Sequence, residues 1–363
     1  MTELMPTGRF RQLDGLRAIA VGGVMVQHGL GLVGRNGGEG GFALGSVGVR
    51  LFFVLSGFLI TGILLQSRED ASQREVSRWH VWRAFYCRRA LRILPLGYAV
   101  MVVAWLAGSP SIHAHPWMFA TYTSNFFVAA EGLRDPSLDH FWSLAIEEQF
   151  YLFWPLIILA VPERWLVGAM TAVVLLAMVA RAELLIHAGV HAAYVSTPSR
   201  LDAMAIGGLL AFYRRRNPGR TNALLVGLVA AGVLARLVGR FLPDYPVVLP
   251  LPETGYVLLS AALVLWAASG IRGPVGRVLA SRPMVAIGTI SYGIYVYHMV
   301  IAGLAPSLQA RFALPFTFPP HEGWERMLWM IGTTLPVAAA SWRWFERPLN
   351  DLKSRFPYIP KVD

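Results

Sequence analysis

A chain of 363 residues that is 55% hydrophobic and only 15% charged has too little charge for an ordinary soluble domain, where about 25% is usual. Its net charge of +11 comes from arginines clustered between apolar runs. With no zinc-finger spacing and no basic stripe interleaved with aromatics, nucleic acid is excluded as a partner. The single cysteine, Cys87, excludes an internal disulfide framework and a cysteine-based metal site, and reads as a small apolar filler.

Taken in chain order, the apolar runs predict an all-α polytopic membrane bundle of about ten transmembrane helices. They fall near 13–33, 48–66, 93–108, 141–161, 165–187, 200–213, 221–239, 254–269, 284–304 and 324–345, close to the ~20 residues a bilayer core requires, though some are shorter. A basic start (Arg9, Arg11, Arg17) leads into the first run without a small-residue cleavage site, the pattern of an uncleaved first span. Arginine crowds 68–92, 214–220, 272–282 and 347–361 and thins out in the alternate loops, among them those carrying Arg50 and Arg200. The positive-inside rule then places both termini in the cytoplasm. Residues 1–350 read as one membrane domain and 351–363 as a short cytoplasmic tail, with no additional soluble domain expected.

The first run carries ionisable groups. In RQLDGLRAIAVGGVMVQH, His28 follows Arg17 by eleven residues, a helical rise of about 16 Å that leaves both on one face. A lone intramembrane histidine can be an interhelical hydrogen-bonder. Asp14, Arg17 and His28 together in one span point to function. The glycine-rich GLGLVGRNGGEGGFALG at 29–45 reads as a flexible external loop.

FYCRRALRILP sets Arg88, Arg89 and Arg92 in a loop ahead of the third span, Arg89 and Arg92 at helical i,i+3 spacing. Paired guanidinium groups suit phosphate; the alternative is a basic anchor at the lipid headgroups. Pro95 is expected to kink the helix entry. WMFATYTSNFFVA at 117–129 is too short and polar to span, and suits a re-entrant or interfacial piece.

In SLAIEEQFYLFWP at 143–155, Glu147 shares a face with Ser143 and Tyr151, while Glu148 points about 100° away. Such carboxylates either pair with arginine in helix packing or open a polar site into the bundle. RLDAMAIGG offers Arg200 and Asp202 as an ion pair or as pocket groups. ISYGIYVYH offers Tyr295 and His298, with Ser291 and Tyr292 nearby, as pocket groups or ordinary interhelical hydrogen-bonders. WFERP at 344–348 reads as an interfacial aromatic pair, an ion-pair partner and a helix stop.

LDGLRAIAV with its Arg17 and His28, GVRLFFVLSGFLITGIL, FYCRRALRILP, HFWSLAIEEQFYLFWP, RLDAMAIGGLLA, ISYGIYVYH and FERP occur in an order that resembles the acyltransferase-3 family of bacterial integral membrane O-acyltransferases. The resemblance implies a multi-pass protein of the bacterial inner membrane. It implies transfer of an acyl group, often acetyl, from cytoplasmic acyl-CoA to a hydroxyl of an exported or surface glycan such as peptidoglycan, or of a macrolide. Carried onto this chain, Arg17 and His28 match the family's arginine–histidine pair, Arg89 and Arg92 its RxxR motif, and Glu147 the first glutamate of SLxxE; the position of Glu148 varies. Some members carry an extracytoplasmic hydrolase-like domain, which is not expected here.

The scheme expected from this has Arg88, Arg89, Arg92 and Arg17 holding the CoA phosphates. His28 takes the acceptor's hydroxyl proton as general base, or forms an acyl-imidazole. Glu147 is expected to orient the imidazole. Ser143, Glu148, Arg200, Asp202, Tyr295 and His298 are candidate pocket groups. No metal and no tightly bound cofactor are expected. A proton-coupled transporter or flippase of lipid-linked sugars is the rival from another class. Oligomeric state is not readable.

Overall fold

The computed structural model describes residues 10–32, 44–132, 135–217, 220–242, 246, 248–312 and 323–360. It is 85% helical, with no strand among the described residues. In chain order the helices are α1 (Arg11–Gly29), α2 (Leu44–Gln73), α3 (Arg78–Leu106), α4 (Pro110–Ala114), α5 (Pro116–Ala120), α6 (Ser124–Glu131), α7 (Phe141–Ala160), α8 (Glu163–His187) and α9 (Gly189–Val195). They continue with α10 (Leu201–Arg216), α11 (Thr221–Phe241), α12 (Leu251–Ala268), α13 (Gly273–Leu279), α14 (Arg282–Thr289), α15 (Ser291–Phe312), α16 (Trp324–Ser341) and α17 (Arg347–Asp351).

Each of the ten expected runs overlaps helix, the first only as far as Gly29 and the ninth across the break between α14 and α15. Among the described residues α2, α3, α7, α8, α11 and α12 are long and apolar enough to cross a bilayer, and the pair α14–α15, bent by 64°, adds a seventh if it counts as one span. The 117–129 stretch divides into the short α5 and α6, neither of spanning length. The glycine-rich loop falls largely on 33–43, outside the described residues.

Two local expectations change. Arg88, Arg89 and Arg92 lie within α3, not in a loop ahead of it, because the helix starts at Arg78, where Ser77 accepts the Trp79 N–H at 3.2 Å as its cap. Pro95 sits inside that same helix. Arg50, expected in an external loop, lies in α2, buried and paired with Glu253.

The chain divides into two compact units. The first takes its described residues from 1–24, 36–62 and 161–291. Here α2 and α10 cross on glycines: a Cβ on Gly57 would meet the Met204 carbonyl oxygen at 1.9 Å, and one on Gly207 the Val54 carbonyl oxygen at 2.2 Å. Removing side chains at the crossing lets two backbones approach, the usual route to tight packing where lipid competes for apolar surface. Ion pairs crosslink the rest of this unit: Arg181 with Asp202 at 2.6 Å, and Glu253 with both Arg50 and Arg200.

The second unit takes its described residues from 25–35, 63–160 and 292–363. Within it α16 meets the end of α1, where a Cβ on Gly29 would lie 2.7 Å from the Met327 Cα, and the Gly323 N–H donates to the Gly29 carbonyl at 3.1 Å. The turn before α7 is tied by Asp135, which accepts from Ser109, from the Ser111 N–H at 3.2 Å and from the Ser137 N–H at 2.9 Å. Burial pushes that carboxyl up, and these hydrogen bonds outweigh it and hold it below its usual range.

Candidate active site

The second unit brings together groups from three distant parts of the chain. His28 lies in the last turn of α1, His298 on α15, and His140 just ahead of α7. His28 Nδ1 is 2.9 Å from His298 Nε2, and the two rings stack with centroids 5.1 Å apart. His298 Nδ1 lies 2.6 Å from the Tyr295 carbonyl, one turn earlier on its own helix. His140 meets the His298 ring edge-on at 5.0 Å, with its Nε2 3.2 Å from the Val296 carbonyl. His298 and His140 are buried, while His28 keeps intermediate exposure.

Tyr295 closes the cluster: its hydroxyl is 2.5 Å from Ser143 Oγ and donates to the His140 carbonyl at 3.2 Å. Ser143, Tyr295 and His298 are thus brought together with His28, and His140 joins them. Sequence reasoning missed His140, although it opens the HFWSLAIEE stretch three residues before Ser143, on the same helical face. The imidazoles form a chain of contacts, and among the described residues no group of three or more His, Cys, Asp or Glu is arranged to hold a metal ion.

The structure pairs His28 with His298, a partner that the sequence reading, with Glu147 in the orienting role, does not include. Glu147 Oε2 accepts from the Tyr151 hydroxyl at 3.0 Å, and the Arg89 guanidinium lies over the Tyr151 ring at 4.9 Å. The shared face of Glu147 and Tyr151 is as expected, and Arg89 packs against it. Glu148 turns to a different side, and its Oε1 is buried without a hydrogen-bond partner among the described residues.

The arginine cluster divides its labour. Arg92 approaches Glu346 at 4.0 Å and lies over the Trp342 ring at 4.9 Å. Glu346 is held from the other side by the Ser341 hydroxyl at 3.1 Å, so WFERP supplies the expected ion-pair partner. Arg88 donates to the carbonyls of Lys353 and Phe356 at 2.8 and 3.2 Å and lies over the Tyr358 ring. Arg88 therefore ties down the segment after α17. That segment brings in Lys353, which sequence reasoning did not select. Burial, then the charges of Arg92, Arg89 and Arg88, lower its ammonium to about 7.

The remaining candidates lie in the first unit. Arg17 pairs with Asp14 at 3.1 Å, one turn away. Arg200 and Asp202 do not pair with each other: residues two apart on a helix point to different sides. Arg200 takes Glu253, and Asp202 takes Arg181.

Fold and site define a multi-pass helical membrane protein with a buried imidazole cluster and, in the same unit, an arginine-rich one. The chain belongs to the acyltransferase-3 family, whose model, described as an acyltransferase domain, matches residues 10–343. It is similar to the peptidoglycan O-acetyltransferase OatA of Listeria monocytogenes, 30% identical in an alignment of 377 positions that covers 93% of this chain and 55% of that protein. The putative peptidoglycan O-acetyltransferase YrhL of Bacillus subtilis is 28% identical in an alignment of 370 positions that covers 93% of this chain and 54% of that one. A putative O-acetyltransferase of Staphylococcus aureus, SAR0937, is 26% identical in an alignment of 390 positions that covers 96% of this chain and 59% of that one. The chain therefore spans little more than half the length of these relatives. No solved structure matches it.

Proposed function

We propose that the protein moves an acyl group, acetyl by analogy with its relatives, from cytoplasmic acyl-CoA to a hydroxyl of a cell-surface or exported glycan. The observation that carries this reading is the His28 imidazole, fixed by His298 inside a domain of the O-acyltransferase family. Two relatives named for peptidoglycan favour it as the glycan over a macrolide acceptor, and nothing favours the transporter.

His28 takes the acceptor's proton as the hydroxyl oxygen attacks the thioester carbonyl, and returns it to the departing thiolate. Arg89 and Arg92 hold the donor's phosphates, since planar guanidinium groups meet phosphate bidentately. Glu147 acts through Tyr151 to position Arg89. The reading requires no tightly bound cofactor, and it sets the protein in a bacterial inner membrane with both termini cytoplasmic, the arginine cluster facing the CoA pool. The test is mass spectrometry of surface glycans from cells with and without the gene. Loss of O-acetyl groups on deletion, restored by complementation, is expected; glycans unchanged in every fraction would reject a glycan acceptor.

A further inference from the structure

We infer that His298 is a positioning residue that fixes the tautomer of His28, leaving the lone pair of His28 on Nε2. The inference deepens the acyl-transfer reading above and rests on it. Its starting point is the Tyr295 carbonyl, 2.6 Å from His298 Nδ1. A carbonyl oxygen only accepts hydrogen bonds, so that nitrogen carries the ring's proton. The Nε2 of a neutral His298 is then an acceptor. The contact of 2.9 Å between it and His28 Nδ1 needs a donor, and only His28 can supply one. With its proton on Nδ1, neutral His28 has its lone pair on Nε2.

Nε2 is also the ring nitrogen for which the structure gives no partner among the described residues, and His28 is the least buried of the three histidines. The free lone pair thus belongs to the least buried of the three residues. His298 and Tyr295 are themselves locked, because His298 is 0% exposed and the Tyr295 hydroxyl is held by Ser143 and the His140 carbonyl. This is the second-order support a general base requires: the base is oriented by a partner that is itself oriented.

The proton balance follows. The acceptor O–H bond breaks and its proton goes to His28 Nε2 as the oxygen bonds to the thioester carbon. The C–S bond then breaks and the thiolate takes that proton back from Nε2. While His28 is cationic, its Nδ1–H still points at the His298 lone pair, which stabilises the cation. An acyl-imidazole route needs the same Nε2 lone pair, so His298 serves either scheme.

The test uses the full chain in membranes with radiolabelled acetyl-CoA and the endogenous acceptor, comparing His298→Phe, His298→Gln and His28→Ala. A glutamine side-chain oxygen can stand where His298 Nε2 accepts; phenylalanine cannot accept at all. His298→Phe should lower kcat about 100-fold, the lower end of the general-base range, with the KM for acetyl-CoA within about threefold. His298→Gln should recover at least about tenfold of that loss. The proposal is overturned if His298→Phe keeps kcat within about threefold of wild type while His28→Ala is inactive, or if the folded glutamine variant is no better than phenylalanine. Full activity in His28→Ala would instead reject the functional reading itself. If the phenylalanine variant does not accumulate, histidine 15N NMR of the wild-type protein, with His28→Ala to assign the signal, decides the matter. A neutral His28 protonated on Nδ1 is expected, and one protonated on Nε2 would overturn the proposal.

Discussion

Removing one charge of the Arg181–Asp202 pair should destabilise the protein far more than breaking an ion pair of equal length at its surface. The two side chains are 3% and 0% exposed and 2.6 Å apart. Asp202→Asn keeps the shape and the volume but leaves a guanidinium without its anion. Breaking a buried pair costs about 3–5 kcal/mol. The lower end applies here, because Arg181 still donates to the Ser199 carbonyl and, at 3.1 Å, to Thr254 Oγ1. At about 2.1 cal/mol/K per residue over 363 residues, about 3 kcal/mol is a fall in Tm of about 4 °C. Removing both charges with Arg181→Met and Asp202→Asn should restore most of it, since no ion is then left buried alone. Arg216 and Glu163 provide the control: they are also 2.6 Å apart, but 58% and 52% exposed. There Glu163→Gln should cost under about 1 kcal/mol, close to 1 °C. Thermal melts followed by size-exclusion fluorescence in detergent read Asp202→Asn, Arg181→Met, the two combined, and Glu163→Gln. Equal shifts for Asp202→Asn and Glu163→Gln, or a double variant as unstable as the two single changes added together, would refute the reasoning.

Arg89→Ala with Arg92→Ala should weaken acetyl-CoA binding at least about tenfold, as expected for losing charge-assisted contacts, with normal membrane insertion; unchanged affinity measured by equilibrium binding would reduce the pair to a lipid anchor. Lys353, lowered to about 7 by burial and the neighbouring arginines, carries charge only below that pH, whereas a free lysine holds it to about 10.4. A bound phosphate favours the charged form, so acetyl-CoA affinity should fall as pH rises from 6 to 8, and Lys353→Met should flatten that slope; a wild-type profile without slope would contradict it. Gly207→Val should fail to accumulate, because its Cβ would meet the Val54 carbonyl oxygen at 2.2 Å, a backbone atom that cannot swing aside; a normal expression and melting profile would contradict the glycine crossing.

The helices were legible because long apolar runs in a bilayer have few alternatives, and each of the ten runs overlaps helix. The polar start of α3 was not, since Arg78–Arg92 lies outside any apolar window and continues the helix beyond it. Hydrophobicity marks where a chain crosses lipid, not where a helix begins. In the site, His28, Ser143, Tyr295 and His298 could be selected as polar groups in apolar surroundings. Their assembly could not be read, because His28 and His298 lie 270 positions apart. Glu147, expected to orient the histidine, shares a hydrogen bond with Tyr151 one turn on, whose ring lies under Arg89, a contact that spacing along the helix does not reveal. Arg200 and Asp202 show the same limit: nearness in sequence suggested a pair, while helix geometry sends them to Glu253 and Arg181.

The central claim, that the imidazole of His28 performs acyl transfer, is tested most directly by following label from radiolabelled acetyl-CoA into glycan. Membranes containing equal amounts of wild-type protein and of His28→Ala should be compared. The account predicts transfer in the first and none above background in the second, with both proteins equally stable; equal transfer by the two would contradict it.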